Sequence, residues 1–313
     1  MDYPKSVPNV GLVNGKFVDE DTATGVVGSL IPSGWGNAVT DELINVIKAA
    51  QLAPDEAIKT QLADAIRTIA GALVGDARGV RMSVSAASAT ASLTADEVTV
   101  KSALGGQAWL LANFNKAVDL SKVGAGGMDT GVAPANGFVA LYAIYNPTTG
   151  VSALLAVNAT SVKATEVYGG VNMPAGFTAS ALVSVWGTAA SQFKIGSQVD
   201  RRVDTANANA LNSATPNTTT TALSIASFVP LNAKLARISW SVAQGASASG
   251  VSLVVGSSAT GLGAIGTAAA STSGTSQSSI SAEIQMVTAQ TVYYNNSSAA
   301  AVTNTIAVMG YYF

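Results

Sequence analysis

The apolar residues of this chain follow two different periods, and the switch between them limits what it can fold into. From residue 39 to 73 they recur every third or fourth position. Val39, Leu43, Val46, Ile47 and Ala50 form one stripe, and Ile58, Leu62, Ala65, Ile66, Ile69 and Leu73 form a second. That spacing is one face of a helix. Beyond about residue 78 the period becomes two, or the apolar run is short and unbroken, as in strands. FVALYAIY at 138–145 is apolar on both faces, which marks a central strand covered from both sides. RISWSV at 237–242 places Ile238, Trp240 and Val242 on one face and serines on the other. The chain therefore reads as mainly β with a small α-helical N-terminal segment.

Turn chemistry divides it further. Asn14-Gly15 lies between two short apolar runs and predicts a hairpin, because both positions tolerate positive φ. The first helix is expected to be capped by Ser33 or Asn37, with Asp41 and Glu42 toward its positive end. The second is expected to begin near Pro54, Asp55 and Glu56 and to end by Gly71 or Gly75. Their stripes could pack on each other as a helical hairpin. They could also join a short parallel bundle between chains, and the two arrangements are compatible.

Four regions follow from these signals: residues 1–78, a β domain at 79–204, a linker or extended arm at 205–221, and a C-terminal β domain at 222–313. Within the second region SQFKIGSQVDRRV alternates, so Phe193, Ile195, Val199 and Val203 should face the core, opposite Lys194, Gln198, Asp200 and Arg202. Asn146–Gly150 should turn a hairpin between 138–145 and 151–157, and 179–187 is a further strand. The uncharged TANANALNSATPNTTTT carries no useful period. The final region holds five or more short strands with Gly/Ser-rich turns, as in a β-sandwich or jelly roll. Residues 256–279 are either loop or small-residue strands.

Composition then excludes chemistry. There is no His and no Cys, which removes Ser-His-Asp triads, Cys-His pairs and zinc ribbons. Charged residues make up 11% of the chain against about 25% in an average protein, and after Arg237 only Glu283 remains. A surface so poorly charged suits burial between identical chains. The net charge of −2 and the absence of a basic run argue against nucleic acid. MDYPKSVPNVG lacks the apolar core of a signal peptide, and no apolar run reaches the roughly 18–20 residues that insert in a bilayer.

The remaining motifs are weak. VGAGGMDTG at 123–131 has the glycines of a phosphate cradle, but lysine precedes it and Pro134 follows, so neither a P-loop nor a Rossmann turn fits. It reads as a bend with at least one glycine at positive φ. Asp200/Asp204 and Asp119/Asp129 are the carboxylate pairs a glycosidase would need, although alternation puts Asp200 on a solvated face. Asp19-Glu20-Asp21 departs from a calcium loop at Ala23 and Gly25 and reads as a polar turn. No enzyme activity, cofactor or metal is expected. Trp240, Tyr293 and Tyr294, with the amides Asn295 and Asn296, are the candidates for stacking on and hydrogen-bonding a sugar. Core packing is the ordinary role of such aromatics.

MDYPKSVPNVGLVNGKF, SLIPSGWGNAVTDEL and LAPDE followed by a leucine/isoleucine helix resemble the N-terminal segment of bacteriophage and prophage tail fibre proteins. VGAGGMDTGVAPANGFVALYAIYNPTTGVSALLA and VYGGVNMPAGFTASALVSVWGT look like the β module that follows it. The resemblance covers about the first 200 residues; the last 90 carry no such landmark. It implies an intertwined homotrimer of β-sandwich or jelly-roll-like domains in series, housed in the virion. The N-terminal segment would dock on the tail tip or baseplate, with Tyr3, Pro4, Val13, Phe17 and Trp35 as candidate contacts. The distal domain would bind a glycan or protein receptor on the host surface. A purely structural or connecting tail component is the alternative, and a polysaccharide-degrading spike is a third.

Overall fold

The computed structural model describes residues 4–50, 52–69, 73–245, 247–297 and 302–313. The chain forms two compact units, 1–71 and 72–313. It is mainly β, with antiparallel sheets and a small helical N-terminal part. Among the described residues no helix is long and apolar enough to cross a membrane.

In the first unit Asn14 and Gly15 take φ of 52° and 76°, and Val13 bridges Lys16 across them as expected. Asp21 closes a polar turn: its carboxylate accepts from the Ala23 amide (2.9 Å) and the Thr24 hydroxyl (2.7 Å). Helix α1 (Ser33–Ala49) starts at Ser33 itself. Its N-cap is Pro32 with no side-chain cap, so neither Ser33 nor Asn37 serves. Helix α2 (Gln61–Ile69) begins later than Pro54 predicts. Asp55 accepts from the Ala57 amide, which favours a turn over a helix start. Gln61 then holds that segment, accepting from the Asp55 amide (2.8 Å) and donating to the Ala53 carbonyl (2.6 Å). The two stripes meet in part, where Ala65 of the second packs with Ile47 and Ala50 of the first. The buried core is Ile47, Ala50 and Ala65, backed by Val46 and Leu52. Leu43, Ile58, Ile66 and Ile69 remain exposed.

The second unit comprises β1 (Ala77–Arg78), β2 (Arg81–Val84), β3 (Thr90–Lys101), β4 (Ala108–Asp119), β5 (Asn136–Asn146), β6 (Val151–Asn158), β7 (Ala179–Ala189), β8 (Gln192–Phe193) and β9 (Gly196–Val199). It continues with β10 (Arg202–Ser213), β11 (Thr221–Ser224), β12 (Leu235–Gln244), β13 (Ser247–Gly256), β14 (Ile265–Ser271), β15 (Ser276–Gln285), β16 (Thr291–Asn296) and β17 (Val302–Tyr312). The larger sheet runs β15-β12-β17-β10-β9-β2-β3-β7-β5-β6, with β1 and β4 on β3 and β8 on β7. The smaller sheet is β11-β16-β13-β14.

Strand β5 is buried from Phe138 to Ile144 and pairs with β6 and β7, the central position its unbroken apolar run predicts. Asn146 fixes the following turn by accepting from the amides of Thr148 and Thr149, and Gly150 takes φ 73°. In β12 burial alternates without fault, so Ile238, Trp240 and Val242 point inward together. Residues 256–279 resolve into β14 and the start of β15 around a turn.

Two expectations fail in this unit. Residues 192–204 are not one alternating strand. The Lys194 amide returns to the Gly187 carbonyl (2.9 Å), and Asp200, at φ 52°, turns β9 into β10. The phase therefore slips: Ile195 and Val199 are exposed, while Gln198 is buried and donates to the carbonyls of Val183 (2.8 Å) and Asp200 (2.6 Å). Residues 205–213, expected as linker or arm, belong to β10. That strand pairs with β9 through Arg202–Thr205 and with β17 through positions up to Ser213. Backbone pairing, with β17 alone from Ala208 onward, makes a strand here without an apolar pattern. One continuous core runs from Val80 to Phe313, so the regions 79–204 and 222–313 share their interior.

Candidate functional site

The glycine-rich stretch is an edge cover. Gly124, Gly126 and Gly131 take φ of 97°, 85° and 64°. The Gly126 amide donates to the Leu154 carbonyl and that of Asp129 to Ala156, while the Ala156 amide donates back to Gly127. The loop thus pairs with the outer edge of β6 and ties it to the end of β4, where the Asp119 amide donates to Gly126. An uncovered strand edge is a template for aggregation, and this one is occupied. The amides of Gly124, Gly127 and Met128 also donate to backbone carbonyls, so a phosphate would find none of these donors free.

Each acid of the two pairs is engaged by partners of its own. Asp119 accepts from the Ser121 hydroxyl (2.6 Å) and amide (3.0 Å), which holds its carboxyl below the usual range. Asp129 accepts from the Tyr168 hydroxyl (2.9 Å). Asp200 accepts from the Val80 amide (3.2 Å), and Asp204 lies between Arg202 and Arg237. Arg201 grips Glu166 with both guanidinium nitrogens (3.0 and 2.6 Å) and stands 5.4 Å from the Phe313 ring centroid. Alternation on 192–204 missed this charged cluster, because its members come from strands far apart in sequence. Among the described residues no group of three or more Asp or Glu could hold a metal.

The proposed sugar-binding residues part company on β16. Trp240 is in the core, 1% exposed, and Asn296 is fully buried. Neither is on a surface a receptor can reach. Asn296 donates to Asn304 Oδ1 (2.8 Å), and its backbone amide donates to the Asn217 carbonyl (2.6 Å). Tyr294 packs on the core beside Val292. Tyr293 and Asn295 occupy the opposite, outer face, both half-buried. Asn295 donates to Thr220 Oγ1 (2.9 Å), so its amide is partly committed. Tyr293 faces the small residues Ala222 on β11 and Gly256 on β13, and its hydroxyl lies 3.3 Å from Thr288 Oγ1.

Among the attachment candidates, Phe17 and Trp35 meet edge-to-face at 5.1 Å, Pro4 is buried, and Val13 is exposed on the hairpin. Tyr3 lies outside the described residues. Around them the first unit presents Val27 (78% exposed), Leu30 (69%) and Ile31 (65%), apolar surface that the helical period did not foretell. No protein-family model matches the chain, and no curated protein matches it.

Proposed function

We propose that this chain is a tail fibre protein of a phage or phage-derived particle, which attaches to the tail tip or baseplate and binds a host-surface glycan or protein during adsorption. The working form is an intertwined homotrimer, with its β modules in series in a sandwich or jelly-roll-like arrangement. The first unit is the docking end and the distal sheet the receptor end, with no reaction performed at either.

One observation carries the proposal. Among the described residues the first unit buries only Val10, Ile47, Ala50 and Ala65 as apolar core, while Val27, Leu30, Ile31, Ile58, Ile66 and Ile69 are at least half exposed, less interior than a small domain needs. Exposed apolar residues in such number suit coverage by other chains in a working assembly. The resemblance of residues 1–67 to fibre attachment segments says which chains these are: its own copies and the tail. At the distal end, the half-buried Tyr293, flanked by Ala222 and Gly256, is the candidate for stacking on a sugar, and three copies per fibre multiply a weak contact into firm adhesion.

The test combines molecular mass in solution with competition for adsorption by the purified full chain. A trimer that blocks adsorption of the parent particle supports the whole proposal. A trimer without blocking leaves the structural tail component, and a stable monomer overturns the fibre assignment.

A further inference from the structure

Lined by residues of β7 and β10, the second unit holds a cavity of about 380 Å³, within the roughly 300–1,000 Å³ common for small-molecule sites. We propose that it binds an aliphatic carboxylate, an acyl chain with a single anionic head. This goes beyond the attachment role and does not depend on it.

The backbone is shaped to leave this space. The register of β10 against β17 jumps from Asp204 to Ala208, so the intervening residues have no partner on β17, and Thr205 and Ala208 line the opening. Bulges of this kind recur beside binding sites because they lift a strand from its neighbour. Across the opening stands Gly187, where an added Cβ would meet Lys194 Cδ at 3.3 Å and Phe138 Cε1 at 3.6 Å. The floor is aromatic: the rings of Phe138 and Tyr311 pack edge-to-face at 6.4 Å beside Trp186. Ile195, 52% exposed despite its size, and the half-buried Phe228 form the walls.

The polar inventory selects the ligand. Trp186 Nε1 donates to the Lys194 carbonyl (2.9 Å) and the Tyr311 hydroxyl to the Val185 carbonyl (2.6 Å), so both aromatic polar tips are already committed. What remains is the Lys194 ammonium with the hydroxyls of Thr205 and Ser227. Among the described residues no carboxylate lies within 4.0 Å of Lys194. A single unpaired cation beside an apolar cavity complements a single anion on an apolar body. A sugar would bury several hydroxyls without partners here, which such a lining rejects.

Calorimetric titration of the full chain with decanoate tests this, with decanol as the uncharged control. Saturable binding is expected, with decanoate preferred by about tenfold or more, as one charge-assisted hydrogen bond supplies. Lys194→Met should abolish that preference while leaving decanol binding in place. Ala208→Phe should fill the cavity and remove both, together with the response of Trp186 fluorescence to either ligand. Lys194 is half-buried and structurally unpaired, so its variant keeps the test valid should Ala208→Phe misfold. Absence of saturable decanoate binding, or a preference for decanoate that Lys194→Met leaves intact, would overturn the assignment.

Discussion

The amide of Gly126 donates to the carbonyl of Leu154 at 2.7 Å, so a loop rich in glycine serves as the neighbour of an edge strand. One residue on, Gly127 approaches Lys122 so closely that a Cβ would stand 2.5 Å from its carbonyl oxygen. Gly127→Ala should therefore lower stability by about 1–3 kcal/mol, the usual cost of overpacking. Hydrogen exchange at Ala156, whose amide donates to Gly127, should accelerate more than at the interior of β5. Unchanged exchange at Ala156 would mean the loop does not guard that edge.

Alkaline pH should weaken the second unit through its tyrosines. Burial, reinforced by the hydrogen bond to Asp129, pushes the Tyr168 hydroxyl up from 10.0 to about 12. Burial likewise raises Tyr142 and Tyr311. The folded chain keeps these protons where the unfolded chain has lost them. Their contribution is thus complete below pH 10 and drains away between pH 10 and about 12 for Tyr168. A tyrosinate absorbance titration beside thermal melts should show stability falling across that interval, and Asp129→Asn should bring the Tyr168 step to lower pH.

Stability and adhesion should separate along β16. Asn296→Ala removes the donor to the buried Asn304 Oδ1 and should cost about 1–3 kcal/mol in urea unfolding. Tyr293→Ala, on the outer face, should leave the unfolding curve within about 0.5 kcal/mol of the parent while reducing adsorption blocking. Loss of blocking in neither variant would remove β16 from the receptor-binding surface.

The exposed face of α2 should govern assembly. Ile66→Glu together with Ile69→Glu places charge on residues that are 54% and 56% exposed in the single chain. Melting of the β unit should be unaffected, whereas the mass in solution should drop to that of one chain. A mass that does not change would assign the assembly contacts elsewhere.

Trp240 carries an indole Nε1–H that finds no acceptor among the described residues, in a side chain 1% exposed. Trp240→Phe removes that unpaired donor along with some packing and should cost far less than Trp240→Ala, for which about 3–5 kcal/mol is expected. Chemical denaturation of the two variants decides it.

What could be seen in the sequence depended on which force holds each element. β5 and β12 were legible because burial holds them, and burial writes an apolar run or an alternation. The far half of β10 was not, since Ala208, Asn209 and Asn212 there are held by backbone pairing with β17, which leaves no mark on side-chain choice. Ile195 and Val199 were assigned to the wrong face because a bend at Lys194 resets the parity that alternation assumes. Gly124, Gly126 and Gly131 announced their positive φ, yet nothing in VGAGGMDTG named Leu154 and Ala156 as partners. The candidate site fared similarly: aromatic and amide residues were found, but only the strand register separates Tyr293 from the buried Trp240 and Asn296.

Strand β10 is bonded at its start to β9 on one edge and β17 on the other, and from Ala208 onward to β17. A pull that drew these two parts of the unit apart would have to slide many antiparallel hydrogen bonds at once, loading them in shear instead of opening them one after another. An unstructured tether between 205 and 221 would have behaved as a swivel. The splice makes this part of the molecule a tension member, able to pass a tug from one sheet region to the next without reorienting.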